Sequence, residues 1–133
     1  MPSPCYCAVL RGAARKVTAL YDEALAPVGL TLAQFRLLRL VERAGDPPSL
    51  TELGRVAELD RSTIGRNVRL LQRLGLVRVV PGGDQREATV ALEEAGRRAL
   101  HKATPLWDGA QRRIEAALGP DAAARLRSLL QSL

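Results

Sequence analysis

Between Arg61 and Arg73 the chain places four arginines, Arg61, Arg66, Arg69 and Arg73, with no Asp or Glu among them. A guanidinium is a planar fork of donors that fits two phosphate oxygens, or O6 and N7 of guanine. Ser62 and Thr63 open the same run, where hydroxyls at a helix N-terminus contact phosphate. That chemistry needs a support. Ile64, Val68, Leu71 and Leu74 recur at helical spacing and predict the inner face of a helix. The plainer alternative is an amphipathic helix whose basic face is merely solvated.

The flanking residues extend this helix into a larger unit. Asp60 is a plausible N-cap, with Leu59 and Ile64 placed as its hydrophobic staple. Ser49 and Glu52 have the spacing of a capping box and predict a preceding helix from Leu50. Together, Ser49 to Gly75 reads as a helix-turn-helix. Two short β-branched runs follow, Leu76–Val80 and Glu87–Leu92, separated by Pro81–Gly82–Gly83–Asp84–Gln85–Arg86. This is a hairpin with a glycine-rich tip. Helix, helix and hairpin in that order make a winged helix-turn-helix. The tip puts Arg86 on a ribbon able to reach a minor groove, and Asp84 is placed where it can pair with an arginine and hold it in one orientation.

Composition agrees with an anionic partner. A net charge of +6 and a pI near 10.3 on 133 residues favour a polyanion, and 47% hydrophobic residues suffice for one domain's core. A membrane surface would call for lysines and aromatic anchors, whereas this chain has two lysines and four aromatics. No segment approaches the ~18 apolar residues of a membrane span. The N-terminus lacks the pattern of a signal peptide, so the expected location is cytoplasmic, with reduced thiols.

Outside the reader, a helix is predicted from Ala8 to Leu25, ending at Pro27–Val28–Gly29. Thr31 and Gln34 form another capping box, with Leu30 and Phe35 as its staple, opening a helix to about Arg43. After the hairpin, Glu93 to Leu118 is helical, with Pro105 expected to kink or interrupt it. Beyond Gly119–Pro120, a last helix from Asp121 to Leu133 carries Ala122, Leu126, Leu129, Leu130 and Leu133 on one face. These helices are too apolar to stand free. They pack either on their own domain or on a second copy.

With these pieces in place, the chain resembles the MarR family of bacterial transcriptional regulators. The resemblance rests on Gly29–Leu38, Leu50–Leu53, Leu59–Arg66, Leu74–Val77 and the Asp84–Gln85–Arg86 wing, and it spans essentially the whole chain. One departure lies at Leu92–Glu93–Glu94–Ala95–Gly96, which lacks the threonine that often caps this helix in the family. The resemblance implies a mainly α fold with a small β-hairpin wing. It implies N- and C-terminal dimerisation helices at residues 1–30 and 93–133 around a DNA-binding region at 31–92. It implies a homodimer on a pseudo-palindromic site in double-stranded DNA, with half-sites about one helical turn, ~34 Å, apart. It also implies a pocket for a small aromatic or phenolic effector, which Tyr21, Phe35 and Trp107 are placed to line.

The expected function is thus a sequence-specific DNA-binding transcriptional regulator, a repressor released by a small molecule. The expected contacts are Arg61 and Arg66 to base edges, Ser62, Thr63 and Arg69 to phosphates, Arg73 within the same interface, and Asp84 with Arg86 in the wing. Two other readings stay open. One is an architectural DNA-binding protein with no effector. The other is a regulator answering to oxidants or soft metals through Cys5-x-Cys7, against which ordinary surface cysteines must be weighed. No cofactor or resident metal is expected. Catalysis finds no support: His101 has no nucleophile signature beside it, and Gly82–Gly83 lacks the Lys-Ser/Thr of a phosphate loop.

Overall fold

The computed structural model describes residues 3–133. Its elements run α1 (Tyr6–Leu25), α2 (Leu32–Arg43), α3 (Leu50–Ala57), α4 (Arg61–Arg73), β1 (Val77–Val80), β2 (Thr89–Leu92), α5 (Glu94–Leu118) and α6 (Pro120–Gln131). A single 3₁₀ turn, Ala26–Val28, follows α1 where the Pro-Val-Gly break was predicted. The class is mainly α with a two-stranded antiparallel wing.

Helix starts follow the caps written in the sequence. Thr31 accepts the Gln34 N–H at 3.2 Å while the Gln34 side chain accepts the Thr31 N–H at 2.9 Å, so the α2 box is complete. Asp22 of α1 reinforces it, its Oδ1 accepting the Leu32 N–H at 2.7 Å. At α3 only half of the expected box forms: Ser49 accepts the Glu52 N–H at 3.1 Å, and no returning bond is found among the described residues. α5 begins at Glu94, with Glu93 as an N-cap that makes no side-chain bond. Gly96 lies in its first turn because a Cβ there would collide with the Leu76 carbonyl.

One core unites α2, α4, the wing and the middle of the chain. Leu25, Phe35, Leu38, Ile64, Leu71 and Val90 are fully enclosed, with Leu53, Val68, Val77 and Leu100 beside them. α1 and α2 both pack on α5. The strands pair Val77 with Leu92 through Val80 with Thr89. They are shorter than the sequence runs, because Leu76 and Glu87–Ala88 lie outside the ladder. A third piece of backbone joins the sheet. Ser49 bridges Thr89, and the Val90 N–H donates to the Pro48 carbonyl at 2.8 Å.

One expectation narrows and another needs correction. Of the kink or interruption expected at Pro105, the interruption does not occur, since α5 is assigned as one helix from Glu94 to Leu118. The donor it lacks would have served the carbonyl of His101, an exposed residue where water is an adequate partner. Leu74 does not belong to the inner face of α4. It is the C-cap residue and half exposed, because the helix ends before that position turns back to the core.

Candidate nucleic-acid interface

α4 separates its two duties by face. Ile64, Gly65, Val68 and Leu71 are buried, while Arg61, Ser62, Arg66, Arg69 and Arg73 are exposed on the remaining surface. The helix N-terminus is held by Asp60, whose Oδ1 accepts the Thr63 N–H at 2.7 Å and the Ser62 hydroxyl at 2.9 Å. The Thr63 N–H, then the Ser62 hydroxyl, hold the Asp60 carboxyl below the usual carboxylate range. Thr63 also accepts from Arg66 Nη2 at 3.4 Å, which orients that arginine along the helix.

Arg61 is placed by more distant residues. Its Nη1 lies 2.8 Å from Glu87 Oε1 and donates to Thr51 Oγ1 at 3.3 Å. The Thr51 hydroxyl in turn donates to Glu87 Oε1 at 2.7 Å. The N-termini of α3 and α4 and the wing loop just ahead of β2 therefore meet at one carboxylate.

The wing tip is tightly turned. A Cβ at Gly82 would run into the Arg86 and Glu87 carbonyls, Gln85 adopts a left-handed conformation with φ 60°, and the Arg86 N–H donates to the Gly83 carbonyl at 2.9 Å. Asp84 makes no such pair: among the described residues no ion pair includes it, and the acid–arginine contacts of the wing are Glu87 with Arg61 and Arg78 with Glu93. Arg86 is exposed at the tip.

Away from this surface, three aromatic rings gather between α1, α2 and α5. Trp107 stacks on Phe35 at 5.8 Å and on Tyr21 at 6.4 Å between ring centroids. The Arg39 guanidinium lies 4.6 Å over the Trp107 ring and 5.8 Å over Phe35. Together with Leu32 and Arg36 these residues border an open cavity of about 530 Å³. Burial pushes the Tyr21 phenol above its ordinary pKa, with Arg127 opposing and Glu115 adding to the shift. Cys5 caps α1 and Cys7 lies in its first turn; both are free and exposed. No cluster of three or more His, Cys, Asp or Glu able to hold a metal occurs among the described residues. Nor, among them, is any single helix long and apolar enough to cross a membrane.

Residues 28–87 match the model of the MarR family. The crystal structure of the M. tuberculosis transcriptional regulator MosR is 36% identical, with a TM-score of 0.81 over 98% of this chain and 96% of that one. The chain belongs to the MarR family. It is accordingly a DNA-binding transcriptional regulator and not an enzyme. MosR in complex with DNA is 37% identical, with a TM-score of 0.83 over 97% of this chain and 96% of that one. A cysteine-to-serine mutant of E. coli MarR complexed with operator DNA is 25% identical, with a TM-score of 0.84 over 93% and 89%. No curated protein matches the chain.

Within this MarR-family fold, sequence reasoning overlooked Thr51, Glu87 and Arg39. Arg39 had a readable signal, because it follows Phe35 by four residues and so shares its helix face. Glu87 had none, since its contact with Arg61 spans a helix, a turn, a strand and the wing loop.

Proposed function

We propose that this chain is a homodimeric repressor that occupies a pseudo-palindromic operator in double-stranded DNA and leaves it when a small effector binds. The observation that carries the reading is α4, a helix sealed into the core on one side and acid-free with four exposed arginines on the rest. In this reading α4 enters the major groove. Arg61 and Arg66 reach base edges, Ser62, Thr63 and Arg69 reach phosphates, and Arg73 adds charge at the far end of the helix. Arg86, carried on the wing with Asp84, reaches the flanking minor groove, where a narrow, strongly negative channel favours guanidinium.

Reading two half-sites requires two copies. The exposed apolar faces of α1 and α6 support this, with residues 1–30 and 93–133 assigned to dimerisation and 31–92 to DNA. The DNA complexes of MosR and MarR support the mode of binding. Working on promoters, the protein acts in the cytoplasm. The ring cluster under Arg39 is of a size and chemistry suited to a small aromatic or phenolic effector. Such a ligand releases DNA only by binding one spacing of the two readers better than the other.

Selection from a randomised duplex library with the wild-type protein supplies the operator. Arg66→Ala should then weaken operator binding by about 1–3 kcal/mol and relax one base position. An equal loss on operator and scrambled duplex would reassign Arg66 to phosphate, and a wild type without preference would favour an architectural role.

A second reading is supported by Cys5 and Cys7, two free, exposed thiols on the first turn of the helix assigned to dimerisation. Peroxide or a soft metal would release the wild type while a Cys5→Ser, Cys7→Ser protein stays bound in a mobility-shift titration. Identical behaviour of both proteins would leave the aromatic cavity as the switch.

A further inference from the structure

The convergence of Arg61, Thr51 and Glu87 has no role in stability that its geometry would justify. Side chains that are 60% and 38% exposed gain little from pairing, because water screens the attraction. The pair also removes positive charge from a surface that needs it for phosphate. What the acid does here is to fix the position of an arginine on the exposed face of α4.

The geometry points to Glu87 as a specificity-determining positioning residue, which holds Arg61 for base reading and withholds it from phosphate. This rests on the reading of α4 as the major-groove helix. Both contacts to Arg61 fall on Nη1, which donates to Thr51 Oγ1 and lies in ion-pair contact with Glu87 Oε1. The Nη2 and Nε donors remain, and they form one complete edge of the guanidinium fork. That edge matches O6 and N7 of guanine. Glu87 is itself anchored, by the Thr51 hydroxyl and by the bridge from Thr89 to Ser49 that fixes the base of the wing. An untethered Arg61 would swing to the nearest phosphate, which binds every sequence alike. Tethered beside a carboxylate, it presents a fixed edge and contributes less to non-specific binding.

The full-length protein tests this with the library-selected duplex and a scrambled duplex of the same length, over a range of salt. Glu87→Ala should bind scrambled DNA more tightly and lower the selected-to-scrambled ratio about tenfold, within what one bidentate base contact discriminates. Its slope of log affinity against log salt should steepen by about 1, the signature of one more neutralised phosphate. Glu87→Gln, which keeps the acceptor oxygen and the shape, should fall between the wild type and Glu87→Ala. In an Arg61→Ala background, Glu87→Ala should leave the ratio unchanged. A ratio that falls equally in both backgrounds would mean that Glu87 acts on specificity without Arg61, and would overturn the assignment. So would an unchanged ratio in Glu87→Ala while the wild type still discriminates. A wild type that prefers no duplex would instead defeat the reading of α4 itself.

Discussion

In α4, Ile64, Val68 and Leu71 are 0%, 2% and 0% exposed, whereas in α6 Leu126, Leu129 and Leu130 are 43%, 57% and 42% exposed. The helices are of nearly equal length, 13 and 12 residues, and both carry an apolar stripe at helical spacing. What differs is the cover. α4 is roofed by α3 and β1 of its own chain, while α6 packs mainly on α5 and buries none of its residues. Periodicity therefore announces that a face will be covered without saying by what. The reader closes on itself, and the outer helices do not.

The contrast can be broken most severely by removing residues 121–133. If a second copy covers α6, the truncated chain should be monomeric or aggregated in light scattering while the full chain is a dimer at micromolar concentration. A folded, soluble, monomeric full chain would show that the stripe needs no partner.

Single residues sharpen the same contrast. Leu71→Ala should cost about 2–5 kcal/mol in denaturant unfolding. The same truncation at Leu129 should cost less at high protein concentration and more on dilution, since its cover is supplied by association. Equal, concentration-independent losses at the two positions would erase the distinction.

A smaller effect belongs to the turn between α3 and α4. Glu58 ends α3 in a left-handed conformation, φ 57°, which a Cβ disfavours. Glu58→Gly should raise the unfolding free energy by about 1 kcal/mol, less glycine's own entropy cost. No gain would mean that its neighbours already relieve the strain.

The smallest effect is on pH dependence. Because folding holds the Asp60 carboxyl below its usual pKa, its contribution is present above the unfolded value, about 3.9, and is lost as pH falls through the folded one. Asp60→Asn keeps a capping oxygen and should flatten that part of the acid limb. An unchanged acid limb would show that the cap holds no differential proton.

The sequence was most legible where the determining contacts are local. The Thr31–Gln34 box, the Asp60 cap and the Gly119–Pro120 break all lie within a few residues, and each forms where its spacing puts it. Pro105 does not stop α5, because the cost of a lost donor depends on the exposure of His101, which the local rule leaves out. Leu74 was misjudged because periodicity does not say where a helix stops. Asp84 drew the pairing that Glu87 makes, since an acid two residues from an arginine can be read from sequence and one 26 positions away cannot. The gathering of Tyr21, Phe35 and Trp107 depends on α1, α2 and α5 meeting, a tertiary fact that only the family resemblance anticipated.

The short stretch at Pro48–Ser49 alters how the wing breathes. It makes β2 a central strand, flanked by β1 on one edge and by this stretch on the other. The buried amide of Val90, bonded to Pro48, can meet solvent deuterium only when the joint between wing and α3 opens. The amides of 82–88 have no ladder to open, save Arg86 with its single turn bond to Gly83. Isotope exchange along the hairpin should therefore be abrupt rather than graded, slow at the root and fast at the tip, because opening free energies follow cooperative units and not distance along the chain.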